Sequence, residues 1–404
     1  MAEQPLSDVK VLDLTWYIAG PWCTRLLADY GADVIKVERP GAADPARRLG
    51  PFLNDSPHPE KSGLFLHLNL NKRGITLNLK SQAGKKILKE LVKDADILVE
   101  SFRPGVMERL GLGYEALEKV NPKLVMTSIS NFGQNGPYRD FKASELIINA
   151  MGHTMSSCGL PNREPVKRGA NALQYQSGQM AAAATMGALM ASRLQGIGQQ
   201  VDVSIMETHA GSVDYRTQNL LGYIYTGQEC PRVDPREAGV SIMPYGILPC
   251  KDGYVQWLMT TRTHWARLCQ ILGEDEAEMD RRFPDLYDMT RKGELEAMTA
   301  NWCSTRTKWE VMQDAQASRL PATAVFTAAD LVQDPHFQER QFFVEAEHRA
   351  AGKLKYTGAV FRIGGIPWEI SRPAPLLGQH NAEVYGGLGY TAEDMVKLRE
   401  MGVI

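Results

Sequence analysis

Apolar and polar positions along the first half of the chain follow two alternating rhythms. The run VKVLDLT (Val9 to Thr15) is a short apolar stretch that fits a buried strand. AGPWCTRLLADYGA follows it, opening with Gly-Pro and carrying an apolar stripe at Cys23, Leu26, Leu27 and Tyr30, which is helical spacing. DVIKVERP (Asp33 to Pro40) reads as a second strand, GITLNL (Gly74 to Leu79) as a third, DILVES as a fourth and KLVMTSIS (Lys123 to Ser130) as a fifth, with the amphipathic helix GKKILKELVKDA before the fourth. Strands alternating with helices predict an α/β fold with a mostly parallel sheet. The ligand crevice of such a sheet lies beyond the carboxyl ends of its strands. Those ends carry ERPGAADPARR, SFRPG and SNFGQNGP, which are polar, rich in Gly and Pro, and partly basic.

Farther along, GQMAAAATMGALMASRL (Gly178 to Leu194) reads as a buried helix whose small side chains permit close packing, and ANALQYQS before it reads as a polar turn. QQVDVSI is a further strand and METHAGSVDYRTQNLLGYIY a further helix. From about Arg232 the texture changes to YGILPCKDGYVQWLM and then to polar helices rich in Trp, Met and acids. We therefore expect a large domain from residues 1–227 and 331–404, formed by both chain ends, and a smaller α+β domain from 228–330. No G-x-G-x-x-G follows the first strand, so the dinucleotide fingerprint is missing.

Composition narrows the class. Hydrophobic residues make up 44% of 404, enough for one large core or two moderate ones. A net charge of −2 with no long charge block argues against a nucleic-acid or anionic-membrane surface, although Arg47-Arg48 and Lys72-Arg73 are local basic clusters. The six cysteines form no C-x-x-C pair and the eight histidines no H-x-x-x-H pattern, so neither a disulfide framework nor a metal site is expected. No signal peptide or apolar span stands out, and a cytoplasmic protein is expected.

Arg39, Lys72, Arg73 and Arg103 each follow a predicted strand or lie in a loop assigned to the same sheet edge. Such residues suit phosphate groups; each is equally explained as a solvated surface charge. Trp16, Tyr17 and Ile18 lie between the first strand and AGP, where core packing and a substrate wall are both open readings. Glu145 opens a helix, where an acid complements the helix dipole, and whether it also faces substrate is not decided by spacing. Cys158 and His153, in MGHTMSSCGL, suggest a thiol and a base, but nothing in their spacing brings them together.

Taken in order, these motifs resemble the class III CoA-transferase family, which also holds the 2-methylacyl-CoA racemases. The resemblance rests on VLDLTWYIAGPWCTRLLADYGADVIKVERPGAADPAR, NLNKRGITLNL, ADILVESFRPG, SISNFGQNGPY, SGQMAAAATMGALMASRLQGIGQQVDVSIMET and PAPLLGQHNAEV. It implies a large domain containing both chain ends, a smaller domain, and two subunits threaded through each other as an interlocked dimer. It also implies that CoA or acyl-CoA is a substrate held by Arg39, Lys72, Arg73 and Arg103, with no metal and no prosthetic group. In the transferases an aspartate attacks the acyl-CoA thioester, forms a mixed anhydride, then an aspartyl-CoA thioester, and passes CoA to the acceptor acid. In the racemases the aspartate works with a histidine.

That aspartate lies four residues before the Gly that opens the Ala-rich helix. Here the Gly is Gly178, which puts Gln174 in its place, and Ala170 to Gln176 holds no acid. The racemase histidine falls at about Ser144. A carboxamide can hydrogen-bond a thioester carbonyl but is a poor acyl carrier. Three readings follow. This chain is the non-nucleophilic subunit of a hetero-oligomer whose paralogous partner supplies the aspartate, as in two-subunit family members such as the succinyl-CoA:(R)-benzylsuccinate CoA-transferase of anaerobic toluene degradation. Trp16 and Tyr17 are compatible with such an aromatic acceptor. Alternatively it is an active homodimer using Glu145, Cys158 or different acyl-CoA chemistry, or it is a binding protein that has lost turnover.

Overall fold

In the computed structural model, which describes residues 3–211, 215–229, 232, 242–259, 261–286 and 290–404, the apolar runs pair as one sheet. Its strands are β1 (Lys10–Leu14), β2 (Asp33–Glu38), β3 (Arg73–Thr76), β4 (Ile97–Glu100), β5 (Val125–Ser130) and β6 (Gln199–Ser204). Their order is β3-β2-β1-β4-β5-β6, and every neighbouring pair is parallel. The fold is α/β, with the six-stranded parallel sheet in the larger part and a smaller domain beside it in the chain.

Alternation along each strand splits the core into two layers. Leu12, Ile35, Ile75, Leu98 and Met126 pack on one face with Ile87, Leu88 and Leu91 and with Val384, Tyr385 and Leu398 near the chain's end. Val11, Val34, Val99, Val125 and Val203 pack on the other with Cys23, Leu27, Leu173, Ala181 and Leu189. Burial on both faces is why β1, β2, β4 and β5 read as almost unbroken apolar runs, whereas the edge strand β6 is more polar and exposed. The covering helices include α1 (Ala19–Ala28), α2 (Gly63–Leu68), α3 (Gln82–Val92) and a long helix, Ala172–Gln195.

The long helix starts at Ala172, so LQYQ belongs to its first turn and not to a polar turn before it. The cause is remote in sequence: the backbone N–H of Leu173, an orphan donor of the first turn, donates to Glu145 Oε1 at 3.0 Å. Downstream, the segment read as one helix from Met206 to Tyr225 comprises Ile205–Gly211 and Tyr215–Thr226, and its residues 212–214 lie outside the described residues.

The chain divides into two compact units, one of Met1–Ser156, Lys167–Glu229 and Glu339–Ile404, the other of Ser157–Val166 and Cys230–Gln338. The second unit takes in Ser157–Val166, which the sequence pattern assigns to the large domain. It also runs past residue 330, because Lys308 pairs with Asp330 at 2.5 Å and so ties helix Ala328–Gln333 to it. Within it β7 (Ile242–Cys250), β8 (Gly253–Met259) and β9 (Ala322–Ala324) form an antiparallel sheet over a core of Trp257, Trp265, Leu268, Cys303 and Val311. Residues 233–241, near its start, lie outside the described residues. In the first unit β10 (Phe343–His348) and β11 (Gly352–Thr357) form an antiparallel hairpin. Among the described residues no helix is long and apolar enough to cross a membrane.

Two glycines of the long helix make opposite predictions. A Cβ at Gly178 would lie 2.5 Å from the Ala19 carbonyl oxygen and 3.0 Å from Trp22 Cδ1, so this glycine allows α1 and the long helix to touch. A Cβ at Gly187 would meet nothing within 4 Å. Gly178→Ala should destabilise the protein by about 1–3 kcal/mol through overpacking, whereas Gly187→Ala should stabilise it by up to about 1 kcal/mol through helix propensity. Thermal and denaturant unfolding of the two variants checks the difference in sign.

Candidate functional site

Strand order reverses between β1 and β4, and in an open parallel sheet the crevice outside the carboxyl ends at that reversal is the favoured ligand position. The two strands are stitched together there: the Trp16 backbone N–H donates to Ser101 Oγ at 2.9 Å, and the Trp16 ring meets Phe102 edge-on at 6.0 Å. Tyr17 comes next with a left-handed backbone, φ 65°, its N–H donating to Asp44 Oδ1 at 3.1 Å. Its side chain is half exposed. Ile18, in contrast, is buried with Trp22 and Leu68, because it leads directly into α1.

Beneath this turn lies a fully buried charge network. Asp13 accepts from the Thr15 N–H and hydroxyl through Oδ1, and from Thr24 Oγ1 and Lys72 Nζ through Oδ2. Lys36 Nζ donates to the Thr15 carbonyl at 2.7 Å, lies 4.0 Å from Asp13 and pairs with Asp44 at 3.1 Å. Burial by itself would raise the Asp13 pKa, but Lys36, Lys72 and the two threonine hydroxyls outweigh it and hold the carboxyl well below its usual range. Lys72 is driven down to about 8, chiefly by burial, with Asp13 pulling the other way.

The four basic residues expected at one edge do not gather there. Lys72 is interior, its ammonium divided among Asp13, the Pro21 carbonyl and Asn69 Oδ1, each at 2.9 Å. Arg73 opens β3 at the opposite, amino end of the sheet and pairs with Asp33 and Glu383. Arg39 and Arg103 are exposed just beyond the carboxyl ends of β2 and β4. Of the other basic cluster, Arg47 is buried between Glu38 and Glu60 with its guanidinium over Phe65.

Gln174 lies in the first turn of the long helix, partly buried. It precedes Gly178 by four residues, so the two share one helix face, and side chains lean toward the helix N-terminus. Gly178 abuts Ala19, the first residue of α1, so Gln174 stands one turn N-terminal to the point where the two helices touch. Tyr175 beside it meets Trp22 edge-on at 5.3 Å, and Trp22 stacks on His67. Burial and then Arg25 push His67 down to about 3, so its imidazole is neutral. Glu145 Oε1 caps this turn, while its Oε2 is buried with no hydrogen-bond partner. Ser144 N-caps the short helix Glu145–Met151 without a side-chain bond. His153 and Cys158 fall in different compact units.

Comparison with known proteins decides the family. The family model described as CoA-transferase family III matches residues 6–381. The chain belongs to this family. It is 34% identical to the succinyl-CoA–D-citramalate CoA-transferase of Chloroflexus aurantiacus, over 99% of this chain and 98% of that one. It is 33% identical to the formyl-CoA:oxalate CoA-transferase of Streptomyces avermitilis, over 99% of each. Among solved structures it is similar to a CAIB/BAIF family protein from Brucella suis, with a TM-score of 0.84 at 28% identity, covering 96% of this chain and 100% of that one.

In this family III chain the sequence reading missed the groups that hold the crevice: Asp13, Lys36, Asp44 and Glu100. For Asp13, Lys36 and Glu100 the signal was a charge inside an apolar run, as in VLDL, VIKVE and ILVE, where a strand buried on both faces tolerates only a satisfied group; Asp44, in the loop GAADPAR, gave none. Glu100 ends β4 and accepts the Phe102 N–H at 2.7 Å. Burial raises its pKa from 4.5 to about 7; bonds from Ser128 and Phe102 offset part of this, and the charges of Glu108 and Asp202 add to it. A carboxyl with a raised folded pKa gives its full stability below about pH 4.5 and loses it as the pH climbs through about 7. Glu100→Gln, which keeps an acceptor for Phe102, should therefore gain roughly 3 kcal/mol over the native protein near pH 8 and little near pH 5. Denaturant unfolding at the two pH values measures it.

Proposed function

We propose that this chain takes part in moving CoA between an acyl-CoA and a carboxylic acid as the non-nucleophilic member of a pair. The observation that carries this reading is Gln174, a carboxamide in the first turn of the long helix, four residues before the Gly178–Ala19 contact, where the family resemblance calls for a carboxylate. In the transfer itself, a carboxylate oxygen attacks the thioester carbonyl, the C–S bond breaks, and CoA leaves as the thiolate. The thiolate attacks the carboxylate-derived carbonyl of the resulting mixed anhydride, which releases the donor acid and leaves an enzyme–CoA thioester. The acceptor carboxylate attacks this thioester, expelling the thiolate again, and the thiolate finally takes the acceptor's acyl group and frees the enzyme carboxylate. An amide has no anionic oxygen for the first step. A paralogous chain supplies it and completes an interlocked dimer in the cytoplasm.

Arg39 and Arg103, exposed at the carboxyl edge, suit the CoA phosphates; Lys72 and Arg73 are already paired and have at most an indirect part. The acceptor is a carboxylic acid, as D-citramalate and oxalate are for the two relatives by their names. The aromatic rings of Trp16, Tyr17 and Phe102 favour an aryl-bearing acid such as benzylsuccinate.

A second reading has one specific observation in its favour. Glu145 brings a carboxylate to the same helical turn, with one oxygen unpartnered. It would make the single chain self-sufficient. Purifying the native protein and assaying transfer from succinyl-CoA, with this chain alone and with a co-purifying paralogue, separates the two. We expect no turnover from the single chain, turnover from the pair, and loss of activity when the partner's aspartate becomes alanine. Turnover by the pure single chain that vanishes in Glu145→Gln would overturn the heteromeric reading.

A further inference from the structure

We propose that Tyr17 selects the acyl group, its ring serving as a stacking face for an aryl-bearing acyl chain held at the β1/β4 crevice; this rests on the CoA-transfer reading. A bulky residue in the left-handed region is a backbone outlier that glycine, asparagine or aspartate would occupy with less strain. At φ 65° Tyr17 keeps half its surface, 50%, in solvent, so burial returns little for that strain. The fold nevertheless invests heavily in this turn. The Thr15 N–H goes to Asp13, the Thr15 carbonyl to Lys36, the Trp16 N–H to Ser101 and the Tyr17 N–H to Asp44, and Asp44 is itself fixed by Lys36. Asp13, Lys36 and Asp44 are wholly buried, and none lies on the open side of the turn. Strain at an over-determined position points to the exposed group that the position presents.

What that group meets follows from its neighbours. Trp16 on Phe102 makes an aromatic floor, and the exposed Arg103 follows Phe102 directly. A flat ring with a carboxylate beyond it matches an aromatic floor with a cationic rim, and a short aliphatic acid leaves the phenol without a partner.

Equilibrium binding tests this on the native protein, together with any chain that co-purifies, using free CoA, succinyl-CoA and benzylsuccinyl-CoA. In Tyr17→Gly we expect an unchanged or raised Tm, affinity for the aryl ester lowered about tenfold, and CoA and succinyl-CoA binding held within about twofold. Tyr17→Phe should restore the aryl preference. Equal losses for all three ligands would place the ring against the CoA moiety and overturn the proposal, as would an unchanged aryl preference in Tyr17→Gly. If the unsubstituted protein binds none of the three, the CoA reading itself fails and this inference falls with it.

Discussion

One buried carboxylate organises the larger unit. Asp13 stands near the end of the central strand with no access to water, and it is tolerable there only because two lysines and two hydroxyls surround it. Those partners come from β2, α1 and the segment just before β3, so the same charge draws together parts of the chain that pack on both sides of β1. Buried ion pairs of this kind add little net stability over an apolar replacement, yet removing one partner costs about 3–5 kcal/mol. Their effect here is specification: with Asp13 and Lys36 satisfied, the Thr15 main chain has one arrangement available, and the turn beyond it inherits that order.

The crevice follows from the sheet. Reversal of strand order leaves the loops after β1 and β4 diverging on opposite helices, and the Trp16–Ser101 bond closes the gap at its base. The Trp16–Tyr17 turn at this edge is braced from below, through Ser101 and Asp44. In this chain the order of that turn is thus supplied by groups beneath it.

Much of this was legible from the chain alone. The inner strands were readable because a parallel strand covered on both faces must be largely apolar, and VKVLDLT, DILVES and KLVMTSIS met that demand; β6, a more exposed edge strand, showed instead the alternation of QQVDVSI. Side-chain direction was not readable. Lys72 and Arg73 are neighbours in sequence, but one ammonium is drawn inward by Asp13 and the other cation is held at the far end of the sheet by Asp33 and Glu383. The start of the long helix was hidden for a similar reason: the carboxylate that caps its first turn belongs to Glu145, on another helix. Tyr17 is exposed and its neighbour Ile18 buried, with a positive φ at Tyr17 between them that no hydropathy pattern encodes.

The contact between Gly178 and Ala19 acts as an index pin, setting the rotation of the long helix as well as its distance from α1. Residue 174 therefore keeps its address whatever side chain occupies it. Selection for a stable fold preserves that address without any regard for the chemistry delivered there. Whatever stands at that position is thus placed by packing made one turn away, and not by contacts of its own side chain.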